Sequence, residues 1–230
     1  MPSKNSKRLR SAYAMRDAQT AYPLEQAVGL LDTMPKVKFD ETVELAVHLG
    51  VDPRQSTQMV RGIVDLPHGS GKQATVIVFT NNPESALEAG ADYAGLEELI
   101  QKIKDGWIAF DSAIATPAAM KEVRTIARTL GPRGLMPNPK SGTVTDDVVQ
   151  VVKSLKDGSR TEFKMDKTAN LAIIVGKRSF SAGQLIDNIK AAIETLIRIR
   201  PQDLKGRYIK NITLTASMSP SIKLDSVLYN

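Results

Sequence analysis

The chain has 230 residues, of which 42% are hydrophobic and 24% are charged, and it contains no cysteine. This composition predicts a soluble globular protein and excludes disulfides and thiolate metal sites. No run reaches the roughly eighteen consecutive apolar residues of a membrane span, and no signal sequence is apparent, so we expect a cytoplasmic protein. The net charge is +6, and residues 160–230 hold twelve basic side chains against six acidic ones, which favours a phosphate-bearing partner.

The first 68 residues begin with a basic arm and continue into a helix and two strands. In the arm, only Asp17 opposes five cations, which are Lys4, Lys7, Arg8, Arg10 and Arg16. Pro23 suits the first turn of a helix, and apolar residues at helical spacing continue that helix to Leu31. Apolar and polar residues alternate over 39–51, and 60–66 is a short apolar run, so both segments are predicted strands.

The middle of the chain changes to an alternation of short apolar runs and helical segments. The predicted strands are residues 74–80 and 108–114, and the predicted helices are residues 83–89, 96–104, 117–130 and 144–156. Strands that alternate with helices favour a small parallel sheet of Rossmann-like type.

The last part of the chain returns to strands around one long amphipathic helix. Its predicted elements are strands at 161–165, 170–176 and 209–215 and a helix at 182–199. We therefore predict the fold class α/β, with an α+β first domain of split β-α-β type formed by residues 1–68 and 160–230. Residues 69–159 are predicted to form an inserted, Rossmann-like α/β second domain.

The sequence carries no complete catalytic motif. Gly69-Ser70-Gly71-Lys72 lacks the earlier glycine and the following Ser or Thr of a phosphate-binding loop, so a flexible interdomain stretch is the better interpretation. His48 and His68 have no partner at metal or triad spacing. We expect no enzyme activity, no cofactor and no metal. A nucleotide-dependent enzyme built on the middle domain and a general DNA-binding protein stay open as alternatives.

An unusual loop at 131–142 contains three prolines and three glycines around Arg133 and Lys140. Its residue order, together with other ordered motifs, resembles the ribosomal protein L-one family of bacterial type, the lateral stalk protein of the large ribosomal subunit. The other motifs are residues 38–45, 50–54, 60–62, 66–69, 166–168 and 205–208. They are spread over nearly the whole chain.

The resemblance implies that the first domain grips a helical rRNA element and forms the mobile stalk. It also implies assistance with release of tRNA from the exit site, with residues 66–72 and 157–161 as the interdomain hinge. Binding of the protein's own mRNA at the same surface would repress translation. The chain is then expected to be a monomer within the ribosome.

The resemblance and the charge pattern together give a set of candidate RNA contacts. On the first domain they are Lys7, Arg8, Lys38, Phe39, Glu41, Lys167, Thr168, Ser217, Met218 and Ser219. On the second domain, Arg133 and Lys140 are candidates for contact with tRNA or another RNA. The arm cations either meet phosphates or remain solvated, and Phe39 and Met218 either contact RNA or pack in the core. Glu41 would repel phosphate, so we expect it to bond a sugar or base, or to orient a neighbouring cation.

The segment Ser217-Met218-Ser219-Pro220 departs from the Thr-Met-Gly-Pro motif of the family. Ser217 keeps the hydroxyl of the family threonine, which can bond a ribose or a phosphate. Ser219 stands where the family has glycine, a residue that permits close backbone approach or a positive φ. We expect the Ser219 side chain to weaken or reshape the RNA contact.

Overall fold

The computed structural model describes residues 6–204 and 206–229. The chain divides into two compact units: the first comprises Met1–Gly71 and Thr161–Asn230, and the second comprises Lys72–Arg160. Lys4 of the predicted arm and Lys205 of one family motif lie outside the described residues. Across the described part of the chain, no helix is both long enough and apolar enough to cross a membrane.

An antiparallel sheet forms the centre of the first unit. Its four strands are β1 (Thr42–Leu49), β7 (Asn170–Lys177), β8 (Ile209–Ala216) and β9 (Ile222–Leu224), in the order β7-β1-β8-β9. Leu45 on β1 lies opposite Ile173 on β7 and Leu214 on β8, and all three side chains are buried. The alternation predicted for β1 is therefore the alternation between a buried and a partly exposed face of this sheet.

Two helices pack with this sheet around one hydrophobic core, α2 (Leu24–Thr33) and α8 (Ala182–Arg198). Helix α8 begins at a capping box, in which Gln184 N–H donates to Ser181 Oγ (3.4 Å) and Ser181 N–H donates to Gln184 Oε1 (3.0 Å). A second, two-stranded sheet consists of β2 (Arg61–Asp65) and β6 (Arg160–Lys164). The amphipathic helix predicted at 182–199 is confirmed, since the apolar stripe of α8 enters this core.

The basic arm contains a helix that the sequence did not predict, α1 (Lys7–Ala14). Ala12 is the buried residue of this helix, so no apolar stripe reveals it. Ser6 caps its start, because Ser6 Oγ accepts a hydrogen bond from Leu9 N–H (3.3 Å).

The second unit contains a parallel sheet between two apolar layers. Its strands are β3 (Val76–Phe79), β4 (Tyr93–Gly95) and β5 (Ser112–Ala115), with β3 in the centre. Every residue of β3 is buried, and alternate side chains enter two different hydrophobic clusters. The helices of this unit are α3 (Pro83–Glu88), α4 (Glu97–Lys104), α5 (Met120–Val123), α6 (Ala127–Leu130) and α7 (Val148–Lys156). The predicted α/β class with a Rossmann-like parallel sheet is confirmed.

Some predicted element bounds are wrong for identifiable reasons. The helix predicted over 117–130 is divided into α5 and α6 by the 3₁₀ turn Arg124–Ile126. The helix predicted from residue 144 begins only at Val148, because the preceding backbone pairs with β5. There, Ala115 N–H donates to the carbonyl of Thr143 (2.9 Å), and Thr145 N–H donates to the carbonyl of Ala115 (3.2 Å).

Candidate RNA interface

A short loop connects β8 to β9, and its first four residues, 217–220, lie beside the start of β1. Ser217 N–H donates to the carbonyl of Thr42 (3.1 Å), and Ser217 Oγ accepts from Thr42 N–H (3.2 Å). These bonds bring the loop next to residues 38–41, a second segment that the family resemblance assigns to RNA. The Ser217 hydroxyl, predicted to bond a ribose or phosphate, is hydrogen-bonded here to the protein backbone.

Two large apolar side chains of this region are exposed. Phe39 and Met218 each expose 53% of their surface, and Lys38 is exposed as well. The core-packing alternative is therefore wrong for both residues. An exposed apolar side chain beside a cation is suited to contact unstacked bases and sugars of RNA.

Glu41 is 1% exposed, so its carboxylate does not face the solvent. Oε2 accepts from Arg178 Nη1 (2.5 Å), and Oε1 accepts from Met218 N–H (2.9 Å). Of the two roles expected for Glu41, the structure shows the pairing with a cation and excludes a direct bond to sugar or base in this conformation.

Ser219 does not need the conformational freedom of glycine. Among the described non-glycine residues only Ala169 has a positive φ, so Ser219 lies in an ordinary backbone region. Its hydroxyl points inward, 3.2 Å from Arg178 Nη1 and 3.4 Å from Glu41 Oε1. The side chain in place of the family glycine therefore enters the protein rather than the solvent.

The two arm candidates for RNA contact, Lys7 and Arg8, both lie in α1 but have different surroundings. Arg8 Nη2 donates to the carbonyl of Met218 (2.7 Å), and Nη1 donates to the carbonyl of Pro35 (3.3 Å). Its guanidinium thus supports the loop from the protein side. Lys7 is exposed on the same helix and faces no acidic partner within the described ion pairs.

The turn that carries Lys167 and Thr168 is organised by Asp166. Asp166 Oδ1 accepts from the N–H groups of Asn170 and Thr168 (2.8 Å each), and the Thr168 hydroxyl also donates to this carboxylate (2.8 Å). Hydrogen bonds from Asn170 and Thr168 hold the pKa of Asp166 below its usual value. Lys167 and Thr168 are exposed, as a role in RNA contact requires.

This turn and the loop 217–220 lie at opposite ends of β1. Val43 pairs with Ala216 near the loop, whereas His48 pairs with Asn170 near the turn. At about 3.3 Å per residue, the eight residues of β1 separate these ends by roughly 23 Å. One RNA that touches both ends must therefore extend along the sheet.

Beside the turn lies a cleft that the sequence did not indicate. It encloses about 460 Å³ and is lined by Pro53, Met59, Lys164, Met165, Asp166 and Lys167. Met59 is 52% exposed. No local pattern marks this cleft, because its walls come from two segments that are distant in the sequence.

The second-unit candidates lie in the Pro- and Gly-rich segment. Arg133 is exposed after α6, and the backbone of Lys140 lies in the 3₁₀ turn Pro139–Ser141. The structure does not describe the side chain of Lys140. Leu135 and Met136 are only partly exposed and pack against a hydrophobic cluster, so this segment is anchored.

The histidines and the lysine of the rejected motifs each lie beside a polar or acidic side chain. Within residues 6–204 and 206–229, no three His, Cys, Asp or Glu side chains are grouped to hold a metal ion. His48 Nδ1 lies 2.8 Å from Asn170 Oδ1, and His68 Nε2 lies 3.2 Å from Asp187. Lys72, of the rejected phosphate-loop motif, pairs with Asp111 (2.6 Å).

Residues 30–220 match the model of the ribosomal protein L1p/L10e family. The chain belongs to this family. It is 50% identical over 223 residues to large ribosomal subunit protein uL1 of Salinispora arenicola, covering 96% of this chain and 93% of the relative. The proteins of the same name from Bifidobacterium adolescentis and Kosmotoga olearia are 46% and 48% identical over 222 and 224 residues, covering 96% of each chain.

This family membership confirms the resemblance drawn from the ordered motifs. The matched range contains residues 38–41, the turn 166–168 and the loop 217–220, whereas α1 lies before it. The relatives are named as ribosomal proteins, and the chain is not an enzyme.

Proposed function

We propose that this chain is a structural component of the large ribosomal subunit and that its first unit binds a folded segment of large-subunit rRNA. The observation that carries the proposal is the loop 217–220, which presents an exposed Met218 above a buried ion pair. Membership of a ribosomal protein family supports the assignment to the subunit, and hence to ribosomes of the cytoplasm.

The chemistry of this surface suits structured RNA. Such RNA is recognised through its shape, its 2′-hydroxyls and its unpaired bases, so apolar groups, cations and backbone groups are needed together. Phe39 and Met218 supply exposed apolar surface, and Lys7 and Lys38 supply exposed cations. Lys167, at the far end of β1, extends the surface along the sheet.

Three finer roles follow as parts of the same proposal. The bound rRNA and this chain form the mobile lateral stalk, and the segments 66–72 and 157–161 act as the hinge between the rRNA-binding unit and the inserted unit. Gly69, Gly71 and Gly158 have positive φ, a conformation that glycine adopts without steric cost, so the chain can turn within each of these segments.

The stalk assists release of tRNA from the exit site, with Arg133 and Lys140 as contacts to tRNA or other RNA in the second unit. Arg133 is exposed, which such a contact requires. The protein also represses translation of its own mRNA, when a similar RNA fold occupies the rRNA surface. Repression is then competition between two RNAs for one monomeric protein.

The experiment that tests the central role measures binding of the purified chain to an rRNA stalk fragment across a salt series. An unrelated RNA of equal length and a DNA duplex serve as competitors. Tight binding that survives both salt and competitors is expected, because shape-specific contacts are less salt-dependent than phosphate contacts.

Two other outcomes would replace the proposal. Equal affinity for stalk RNA, unrelated RNA and DNA would make the chain a general nucleic-acid binder. Saturable binding of a mononucleotide to the second unit, measured in a separate titration, would favour the nucleotide-dependent alternative.

A further inference from the structure

An ion pair beneath the loop 217–220 is almost completely removed from solvent. Glu41 is 1% exposed, Arg178 is 5% exposed, and Arg178 Nη1 lies 2.5 Å from Glu41 Oε2. The desolvation of two such charges often cancels their attraction, so stability alone is a weak reason for placing them there. The groups that they hold suggest a more specific role.

Both members of the pair bind backbone groups of other segments. Glu41 accepts a hydrogen bond from Met218 N–H (2.9 Å), while Arg178 Nη2 donates to the carbonyls of Leu31 (2.7 Å) and Met34. These carbonyls belong to the C-terminal end of α2, where a cation is favoured. The pair therefore connects the loop 217–220 to α2.

Ser219 extends this connection with its side chain. Its hydroxyl lies within hydrogen-bond distance of Arg178 Nη1 (3.2 Å) and Glu41 Oε1 (3.4 Å), and its carbonyl accepts from Thr215 Oγ1 (3.3 Å). The preceding side chain, Met218, is exposed. The side chain of Met218 therefore faces the solvent, whereas the side chain of the next residue, Ser219, is hydrogen-bonded to the buried ion pair.

We propose that Arg178, Glu41 and Ser219 are positioning residues that hold the loop 217–220 in its RNA-binding shape before RNA arrives. This inference rests on the proposed function, because it takes the loop as part of the RNA surface. The three side chains contact the protein rather than RNA, and they act through the backbone and the orientation of Met218. A loop that is already ordered loses less conformational entropy on binding, so its anchors raise affinity.

The test uses Ser219→Ala, because removal of Glu41 or Arg178 leaves a buried unpaired charge that threatens the fold. Loss of one hydroxyl bond to a charged pair is expected to weaken binding to the stalk RNA by about threefold to tenfold. Ser179→Ala is the matched control. It removes an exposed hydroxyl that donates to the carboxylate of Asp40 (2.7 Å), the neighbour of Glu41, and it is expected to change affinity by less than about twofold.

A double-mutant cycle separates positioning from general stabilisation. Each affinity is measured for the wild type, Ser219→Ala, Met218→Ala and the double variant, all below the temperature at which unfolding begins. If Ser219 acts through Met218, Ser219→Ala weakens binding by less than about twofold once Met218 is already Ala. If Ser219 contributed only to global stability, the effect of Ser219→Ala on affinity would be the same whether residue 218 is Met or Ala.

The inference is overturned by equal fold-changes for Ser219→Ala in the two backgrounds, by unchanged affinity of Ser219→Ala, or by an equal loss in Ser179→Ala. Those results leave the proposed function intact as long as the wild type prefers stalk RNA to unrelated RNA. A wild type without that preference overturns both the proposed function and the positioning role.

Discussion

The substitution Met218→Ala tests whether the exposed side chain of the loop 217–220 binds RNA. Met218 takes part in the loop's hydrogen bonds through its N–H and its carbonyl, and neither depends on the side chain. Because this side chain is 53% exposed, its removal is expected to change the free energy of unfolding by no more than about 0.5 kcal/mol.

The magnitude of the binding effect follows from the exposed fraction. Complete burial of a Met side chain contributes about 1.5–3 kcal/mol. Since 53% of Met218 remains to be covered, its burial by RNA contributes roughly 0.8–1.6 kcal/mol. Met218→Ala is therefore expected to lose roughly fourfold to fifteenfold in affinity for the stalk RNA.

The assay is a titration of labelled stalk RNA with wild type and variant at one salt concentration, with thermal unfolding of each protein recorded alongside. Leu87→Ala is the control, because Leu87 is similarly exposed at 49% but lies on α3 of the second unit. A change below about twofold in Met218→Ala, or an equal loss for unrelated RNA, would refute the assignment of this side chain as a specific contact.

Three further predictions concern charge and pH. Lys7→Ala is expected to reduce the slope of log affinity against log salt by about one, measured over a salt series, and an unaltered slope would identify this lysine as solvated. The pKa of Asp166 is lowered by hydrogen bonds from Asn170 and Thr168, so the stability that it provides is present above its unfolded pKa and is lost as pH falls through the folded pKa. Asp166→Asn should therefore show a weaker acid dependence in urea unfolding below about pH 5, and parallel curves would contradict this. Burial raises the pKa of Tyr208 to about 12 from 10.0, so stability should fall as pH rises through this interval. Tyr208→Phe should make that fall smaller in alkaline unfolding curves, at little cost near neutrality, because the buried Tyr208 Oη has no hydrogen-bond partner among the described residues. The raised pKa of Tyr229 leaves part of the fall in the variant.

Elements with one buried face were predictable from the sequence. In β1 and α8 the apolar residues recur at the period of the element, because the core lies on one side of each. The parallel sheet of the second unit was predictable for a related reason, since fully buried strands such as β3 appear as short continuous apolar runs. Helix α1 was missed because its polar sequence gives no such periodicity.

The buried ion pair that supports the loop 217–220 was not predictable from any local sequence pattern. Arg178 and Glu41 are 137 residues apart in the chain, and Arg178 carried no signal of its importance. The motif around Glu41 could be recognised, but whether its carboxylate faced RNA or a cation depended on Arg178, which follows the end of β7. The direction of the Ser219 hydroxyl depended on the same pair. The sequence therefore predicted that this side chain weakens or reshapes the RNA contact, whereas the positioning role proposed above gives it a supporting effect.

The two arginines beside the loop 217–220 both form hydrogen bonds within the protein, but only Arg178 has an acidic partner among the described ion pairs. Arg178 is paired with a carboxylate, so its charge is compensated within the protein, whereas Arg8 donates to two neutral backbone carbonyls and keeps its positive charge. Phosphate attraction gives affinity that is strongly salt-dependent and insensitive to sequence, whereas contacts to bases and sugars discriminate between RNAs. In the proposed interface, the compensated charge of Arg178 and the exposed side chain of Met218 therefore favour discrimination over general attraction. This is the property that a ribosomal protein needs, because it must select one RNA fold among a large excess of other RNA.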